Sequence, residues 1–144
     1  MKRFVNSWKS ALVVCGMILA QRAEAQISVD SPKSGALVCS MTEISGTIRG
    51  DAKVAAKDIL WIVVHPKLVG DCWVQDPVSV ASDGTWSAYL YFGEPVSAHD
   101  GLLFEFKVLA LSTKPSVGKT VCWPDATWIS PLVTVTRRQS TQCR

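Results

Sequence analysis

Only a few side chains in this sequence are suited to acid–base or metal chemistry. There are two histidines, His65 and His99, and the carboxylate of Asp71 follows His65 closely along the chain. A histidine oriented by a carboxylate can act as a general base, so a small secreted hydrolase that uses His65 with Asp71 is one hypothesis. The chain has no Gly-x-Ser-x-Gly elbow, and a metal site needs three or four well-placed ligands. We therefore predict no catalytic residue, no metal and no cofactor.

The cysteines are better suited to disulfides than to redox or zinc chemistry. Of the five cysteines, Cys15 lies near the start, and the other four are Cys39, Cys72, Cys122 and Cys143. None of these four belongs to a Cys-x-x-Cys pair, the spacing typical of zinc knuckles and thioredoxin-type sites. An even number of cysteines in an exported chain indicates two disulfides, for which three pairings are possible.

Aromatic side chains are the strongest candidates for ligand contacts. Tyr89 and Tyr91 alternate with apolar residues, and Trp73 and Trp123 lie in short or irregular stretches. Exposed rings on a sheet can stack on sugar faces or anchor a protein partner. We therefore predict Trp73, Tyr89, Tyr91 and Trp123 as binding residues; the alternative is that the tyrosines pack under a neighbouring sheet or loop.

The first 25 residues have the pattern of a signal peptide. Lys2, Arg3 and Lys9 precede the apolar run 11–20, and the small-residue pattern Ala23-Glu24-Ala25 follows it. A run of this length is well short of the roughly 20 residues that span a bilayer. We therefore predict a cleaved signal peptide over residues 1–25, no transmembrane span in the mature form, and a secreted or periplasmic protein. A membrane anchor and acylation of Cys15 are the alternatives.

The charge of the remaining 119 residues argues against nucleic-acid binding. The whole chain of 144 residues carries a formal net charge of +3, but four of its cations and one of its anions lie in residues 1–25. The part from Gln26 onward therefore has eleven cationic and eleven anionic side chains. Nucleic-acid affinity comes largely from a basic excess that neutralises phosphates, so we predict no nucleic-acid partner.

The elements that must position these residues are short strands. Clear alternation or apolar runs occur at 43–49, 59–64, 85–92, 102–111 and 130–136, separated by Gly, Pro or Asp-Gly turns. No segment has the period of a helix of ten or more residues. About seven strands in 119 residues favour a single all-β domain over residues 26–144, a two-sheet β-sandwich, with a small closed barrel as the competing topology.

Two residues give more specific expectations about the core. The run 59–64 is apolar at every position, which is typical of a strand covered on both faces, and we expect Trp61 on it to fill the space between the sheets. Gly46 interrupts an alternating strand, which indicates a bulge or the close approach of a large neighbouring ring.

From Ile27 to about Leu111 the chain resembles the bacterial immunoglobulin-like modules of secreted and surface proteins. The resemblance is carried by the segments 31–35 (SPKSG), 44–46 (ISG), 60–66 (LWIVVHP) and 83–86 (DGTW), and by Trp73-x-Gln75 and Phe104-x-Phe106. It implies a two-sheet immunoglobulin-like sandwich without an enzymatic site. In such a sandwich the first strand commonly runs beside the last, which favours the disulfides Cys39–Cys143 and Cys72–Cys122.

These observations lead to one primary functional prediction. We expect an exported, non-catalytic immunoglobulin-like domain whose partner is a protein or a surface glycan. A carbohydrate-binding module and the His65/Asp71 hydrolase are the alternatives.

Overall fold

A computed structural model describes residues 26–50, 60–111, 115–116, 118–120, 122–124, 126 and 128–143. The predicted signal peptide, residues 1–25, lies outside the described residues. The elements that these residues form are β1 (Ile27–Ser31), β2 (Leu37–Val38), β3 (Met41–Ile48), β4 (Leu60–Pro66), β5 (Cys72–Val74), β6 (Thr85–Tyr91), β7 (Leu103–Ala110), β8 (Gly118–Thr120), β9 (Trp128–Ile129) and β10 (Val133–Arg137), with single 3-10 turns at Ser97–His99 and Ser140–Gln142. The described part of the chain is thus all-β, as the turn-punctuated alternation predicts.

The strands form two separate sheets. The small sheet has the antiparallel order β1-β3-β6. The large sheet has the order β2-β10-β7-β4-β5-β8, and β9 pairs with β7 beyond the end of β10. Only β2 and β10 run parallel among the paired strands described. Two sheets rather than one closed sheet correspond to the sandwich-like arrangement that the sequence favours.

The main core lies between the inner faces of these sheets. The small sheet contributes Ile44, Trp86 and Leu90, and the large sheet contributes alternate residues of β4, β7 and β10, including Ile62 and Phe106. Because successive side chains of a strand point to opposite faces, each of these strands also presents a second row of side chains outward. On β4 the outward residues Trp61 and Val63 are buried as well, and on β7 the outward residue Leu109 is buried.

Trp61 is buried as expected, but not between the sheets, so that part of the prediction is wrong. Its side chain is fully buried in a second apolar cluster, with Val63, Val74 and Leu109, on the outer face of the large sheet. The segment that contains Cys122, Trp123 and Ala126 packs against this cluster. A run that is apolar at every position carries no information about which alternate residues face which way. Trp86 packs in the core between the sheets instead.

Two disulfides and one close packing contact correspond to further expectations from the sequence. Disulfides join Cys39 to Cys143 and Cys72 to Cys122, the pairing that the immunoglobulin-like resemblance favours. Gly46 lies under the ring of Trp86, as the glycine in mid-strand indicates. Within the described ranges no helix has the length and apolar character needed to cross a bilayer.

Candidate functional site

A mainly apolar cleft lies at one end of the two sheets. Its volume is about 780 Å³, which is within the usual range for ligand pockets. One wall comes from the last residues of β4, the first residues of β7, and β5. The other wall comes from the last residue of β6 and the loop after it. The apolar lining residues are Met41, Val64, Pro66, Leu68, Val69, Trp73, Tyr91, Pro95, Leu102 and Phe104. We call this opening the end cleft.

Trp73 reaches the end cleft because of the register of β5. In the antiparallel pair of β4 and β5, Val64 lies opposite Trp73, and directly opposed residues point to the same face. Val64 belongs to the core between the sheets, so Trp73 lies on that same inner face. Its half-buried ring forms part of the cleft wall. The predicted binding residue Trp73 therefore belongs to a concave surface rather than to an exposed row.

The polar groups of the end cleft are few. Ser40, Gln75, Glu94 and His99 lie among its lining residues. The Nδ1 atom of His99 is buried and has no hydrogen-bond partner among the described residues. Gly93 lies directly against this ring, since a Cβ added there would come within 2.7 Å of Nδ1, and its φ of +76° also favours glycine. Glycine at position 93 thus leaves room for the His99 imidazole, which lines the cleft.

A buried guanidinium holds the loop that forms this wall. Arg137, at the end of β10, is 1% exposed, and its Nη1 donates to the carbonyls of Phe92 at 2.8 Å and Glu94 at 2.9 Å. Its Nη2 lies 4.0 Å from Asp100, whose carboxylate accepts hydrogen bonds from the Ser140 hydroxyl and backbone N–H. Those hydrogen bonds, assisted by Arg137, lower the pKa of Asp100.

The role of Arg137 is not among the predictions made from the sequence. The sequence feature that could have predicted its burial is the alternation along β10. Val133 and Val135 face the core, and Arg137 occupies the next inward position. A charged side chain at such a position is rarely buried unless backbone or acidic groups meet it.

Tyr89 and Tyr91 are exposed on the outer face of the small sheet. Their exposed fractions are 62% and 53%, and the sheet register places Tyr91 opposite Met41 and Tyr89 opposite Glu43. Tyr91 and Met41 also line the end cleft. An open strip formed by Tyr89, Tyr91, Met41 and Glu43, which we call the tyrosine strip, therefore runs directly into the cleft.

Trp123 lies apart from the other three predicted binding residues. It packs against the second apolar cluster on the outer face of the large sheet, which is the face opposite to that of Trp73. Its ring meets His65 edge-on at a centroid distance of 6.2 Å, and Lys107 Nζ lies 4.8 Å from the ring centre. The structure thus brings Trp73, Tyr89 and Tyr91 to one region and Trp123 to another.

His65 lies in a polar network beside Trp123. Its Nε2 is 2.9 Å from the Val69 carbonyl, and its Nδ1 is 3.4 Å from Glu105 Oε2. The other Glu105 oxygen accepts a 2.8 Å hydrogen bond from Lys67 Nζ, which is the main reason that the pKa of Glu105 is lowered. The carboxylate next to the imidazole is therefore that of Glu105, whereas the hydrolase hypothesis pairs His65 with Asp71.

Comparison of the chain with protein-family models, with curated proteins and with solved structures finds no match. The geometry described above is therefore the basis for a functional conclusion.

Proposed function

We propose that this chain is an exported immunoglobulin-like domain, without catalytic activity, that binds a protein ligand through the end cleft and the tyrosine strip. The observation that carries the proposal is the continuity of the two surfaces. Tyr91 and Met41 belong to both, so a single partner can insert an apolar side chain into the cleft while it covers the exposed tyrosines. Tyrosine and tryptophan are also the side chains most often found at energetically important interface positions.

The shape of the end cleft and the hydrogen bonds that hold its wall indicate a binding site that is already formed before a ligand arrives. Its two walls come from strands of both sheets, and the buried Arg137 fixes the loop from Phe92 to Glu94 through two hydrogen bonds. A wall that is already ordered loses little conformational entropy when a ligand binds. This rigidity supports a binding function for the cleft.

Export and the immunoglobulin-like identity are supported by separate observations. Two disulfides are typical of proteins that fold in oxidising compartments, and the sequence before Gln26 has the pattern of a cleaved leader. Two packed, mainly antiparallel sheets suit an immunoglobulin-like domain. Expression in a bacterial host, followed by N-terminal sequencing of the exported protein, should give Gln26 as the first residue; a retained Met1 would contradict the export proposal.

The binding proposal is tested by placing a charge in the cleft. Leu68 is 76% exposed and lines the cleft, whereas Leu132 is 42% exposed and is not among the lining residues. We expect Leu68→Asp to weaken binding of a captured protein partner at least about tenfold, since a carboxylate must then be desolvated at the contact. Leu132→Asp is the matched control and should bind like the unmodified protein, as measured by surface plasmon resonance. Equal binding by both variants would contradict the proposal.

A surface glycan is the second candidate ligand. The rings of Trp73 and Tyr91 line the same cleft, and Gln75 and Glu94 supply hydrogen-bonding groups beside them. Stacking rings with adjacent polar groups suit a sugar face. Glycan-array binding that is lost in both Trp73→Ala and Tyr91→Ala would favour the glycan over the protein ligand.

A further inference from the structure

The disulfide Cys72–Cys122 has a histidine as a close neighbour. One ring nitrogen of His65 and the two Sγ atoms all lie within 4.8 Å of one another. The register of the β4–β5 pair explains this, since Val63 faces Val74 and Val64 faces Trp73, and one further step places His65 opposite Cys72. Cys122 reaches the same point from the segment that follows β8. Three possible metal ligands are therefore held by β4, by β5 and by the segment that packs on the outer face of the large sheet.

A tetrahedral zinc site defines the spacing that these three atoms would have to reach. With Zn–S bonds of about 2.3 Å and Zn–N bonds of about 2.0 Å, ligand atoms on one zinc ion are roughly 3.5–3.8 Å apart. In the disulfide the two sulfurs are bonded to each other, so they must move apart to reach that spacing.

The surroundings of His65 suit a metal ligand. A ligating histidine usually donates its second ring N–H to a carboxylate or a backbone carbonyl, which fixes the tautomer and the ring orientation. Here the Val69 carbonyl lies beside Nε2 and Glu105 lies beside Nδ1. Whichever nitrogen binds the ion, the oxygen beside it must move aside, and the other nitrogen keeps its acceptor. Lys67 holds Glu105 in place with a 2.8 Å hydrogen bond.

The site is also partly shielded and yet reachable. Cys72 is fully buried in the second apolar cluster, and the Trp123 ring stands edge-on to His65. Cys122 and His65 are only half-buried, which leaves a path from solvent to the sulfur and imidazole atoms. Apolar cover on one side strengthens metal–thiolate interactions by excluding water.

We propose that, in the dithiol state, Cys72, Cys122 and His65 bind one Zn²⁺ ion, so that the disulfide and the metal are alternative occupants of this site. A dithiol reductant supplies two electrons and two protons: the Cys72–Cys122 bond breaks, two S–H bonds form, and the reductant closes to its own disulfide. Zn²⁺ then displaces the two thiol protons to solvent and forms two Zn–S bonds and one Zn–N bond. Water completes the four ligands.

The first test locates the metal by cysteine protection. The full chain is reduced with a trialkylphosphine, which takes up oxygen from water to become the phosphine oxide while the disulfide becomes two thiols, and the reductant is removed without air. Iodoacetamide labelling with and without Zn²⁺ is then followed by peptide mass spectrometry. We expect Zn²⁺ to slow alkylation of Cys72 and Cys122 at least tenfold and to leave Cys39 and Cys143 unchanged. Equal protection of all four cysteines, or of none, would overturn the proposal.

The second test identifies the histidine and uses Co²⁺ as a spectroscopic probe. Reduced wild-type protein should bind one equivalent of Co²⁺ with the visible bands of a tetrahedral thiolate site, and the disulfide form should show none. His65→Ala should bind Co²⁺ more weakly than Glu105→Gln, and Glu105→Gln about 10–100-fold more weakly than the unmodified protein. His99→Ala is the matched control and should retain full affinity. Unchanged affinity in His65→Ala would refute the assignment.

A third measurement covers the case in which reduction loosens the fold. Circular dichroism of the reduced protein follows the strand signal with and without Zn²⁺. Because binding to the folded state stabilises that state, Zn²⁺ should raise the melting temperature of the reduced wild-type protein and not of reduced His65→Ala. An equal rise in both would show binding by the cysteines alone and would also overturn the proposal.

Discussion

Replacement of Gly46 by alanine tests the packing of the two sheets most directly. Gly46 lies on β3, where a Cβ would collide with the carbonyl oxygen of Ser28 on β1 and with the six-membered ring of Trp86 on β6. The Ser28 atom belongs to the backbone of a paired strand, and Trp86 is 3% exposed in the core. Neither neighbour can move aside without disturbing the small sheet or the contact between the sheets.

Two effects of opposite sign decide the magnitude. Gly46 does not have a positive φ, so alanine can adopt its backbone conformation and would stabilise the protein by about 0.4–1 kcal/mol through the unfolded state. Overpacking a dense core costs about 1–3 kcal/mol, and contacts with backbone place this site at the upper end. We therefore expect a net loss of about 2 kcal/mol in the free energy of unfolding. For a domain of this size the melting temperature should fall by roughly 8 °C.

The assay is urea unfolding of the unmodified protein, Gly46→Ala, Trp86→Leu, the double variant and a control. Trp86→Leu removes the ring, so the double variant should be about 1 kcal/mol more stable than the sum of the single effects predicts. Gly70→Ala is the control, because nothing lies within 4 Å of a Cβ there, and its effect should stay within about 0.5 kcal/mol. A stabilising Gly46→Ala, or strict additivity with Trp86→Leu, would refute the packing argument.

Three further predictions follow from the polar groups and the disulfides. Arg137→Met should lower the free energy of unfolding by about 3 kcal/mol, since the carbonyls of Phe92 and Glu94 lose a buried donor. The half-buried neighbour Arg138→Met should change it by less than about 0.5 kcal/mol. Because the pKa of Asp100 is lowered in the folded state, its carboxylate contributes stability above about pH 4, and this stability is lost as pH falls through the folded-state pKa. Asp100→Asn should therefore make the melting temperature fall less steeply at acid pH. An unchanged dependence of melting temperature on pH would contradict this. Replacing both cysteines of either disulfide by serine should lower the free energy of unfolding, measured in denaturant, by about 2–5 kcal/mol. The two losses should agree within about 1 kcal/mol, because loop-closure entropy differs little between sequence separations of 104 and 50. A much larger difference would point to native-state effects.

The sequence was most informative where its pattern had a single interpretation. On β6, apolar Trp86 and Leu90 alternate with Tyr89 and Tyr91, and the structure buries the first pair and exposes the second. The glycine at position 46 likewise indicated a large ring nearby, since a side chain is omitted from a strand chiefly where space is lacking.

Other features could not be predicted, for identifiable physical reasons. β4 is buried on both faces, so its composition gave no basis for deciding on which side Trp61 lies. The end cleft combines residues from Ser40 to Phe104 that only the packing of two sheets brings together. Arg137 was overlooked because a charged residue near a chain end is usually solvated, and its acceptors are carbonyls of a loop distant in sequence.

The alternation of β4 makes the two proposed sites separable in experiments. Val64 faces the end cleft, whereas His65 faces the disulfide and Glu105 on the opposite side of the same sheet. We therefore expect Leu68→Asp to leave the Co²⁺ affinity of the reduced protein unchanged, and His65→Ala to leave ligand binding by the disulfide form unchanged. The turn at Val69 is the exception, because its side chain lines the cleft while its carbonyl lies beside His65 Nε2. If both variants altered both measurements, the sites would be coupled through this turn, and neither could be treated as an independent function of one face of the sheet.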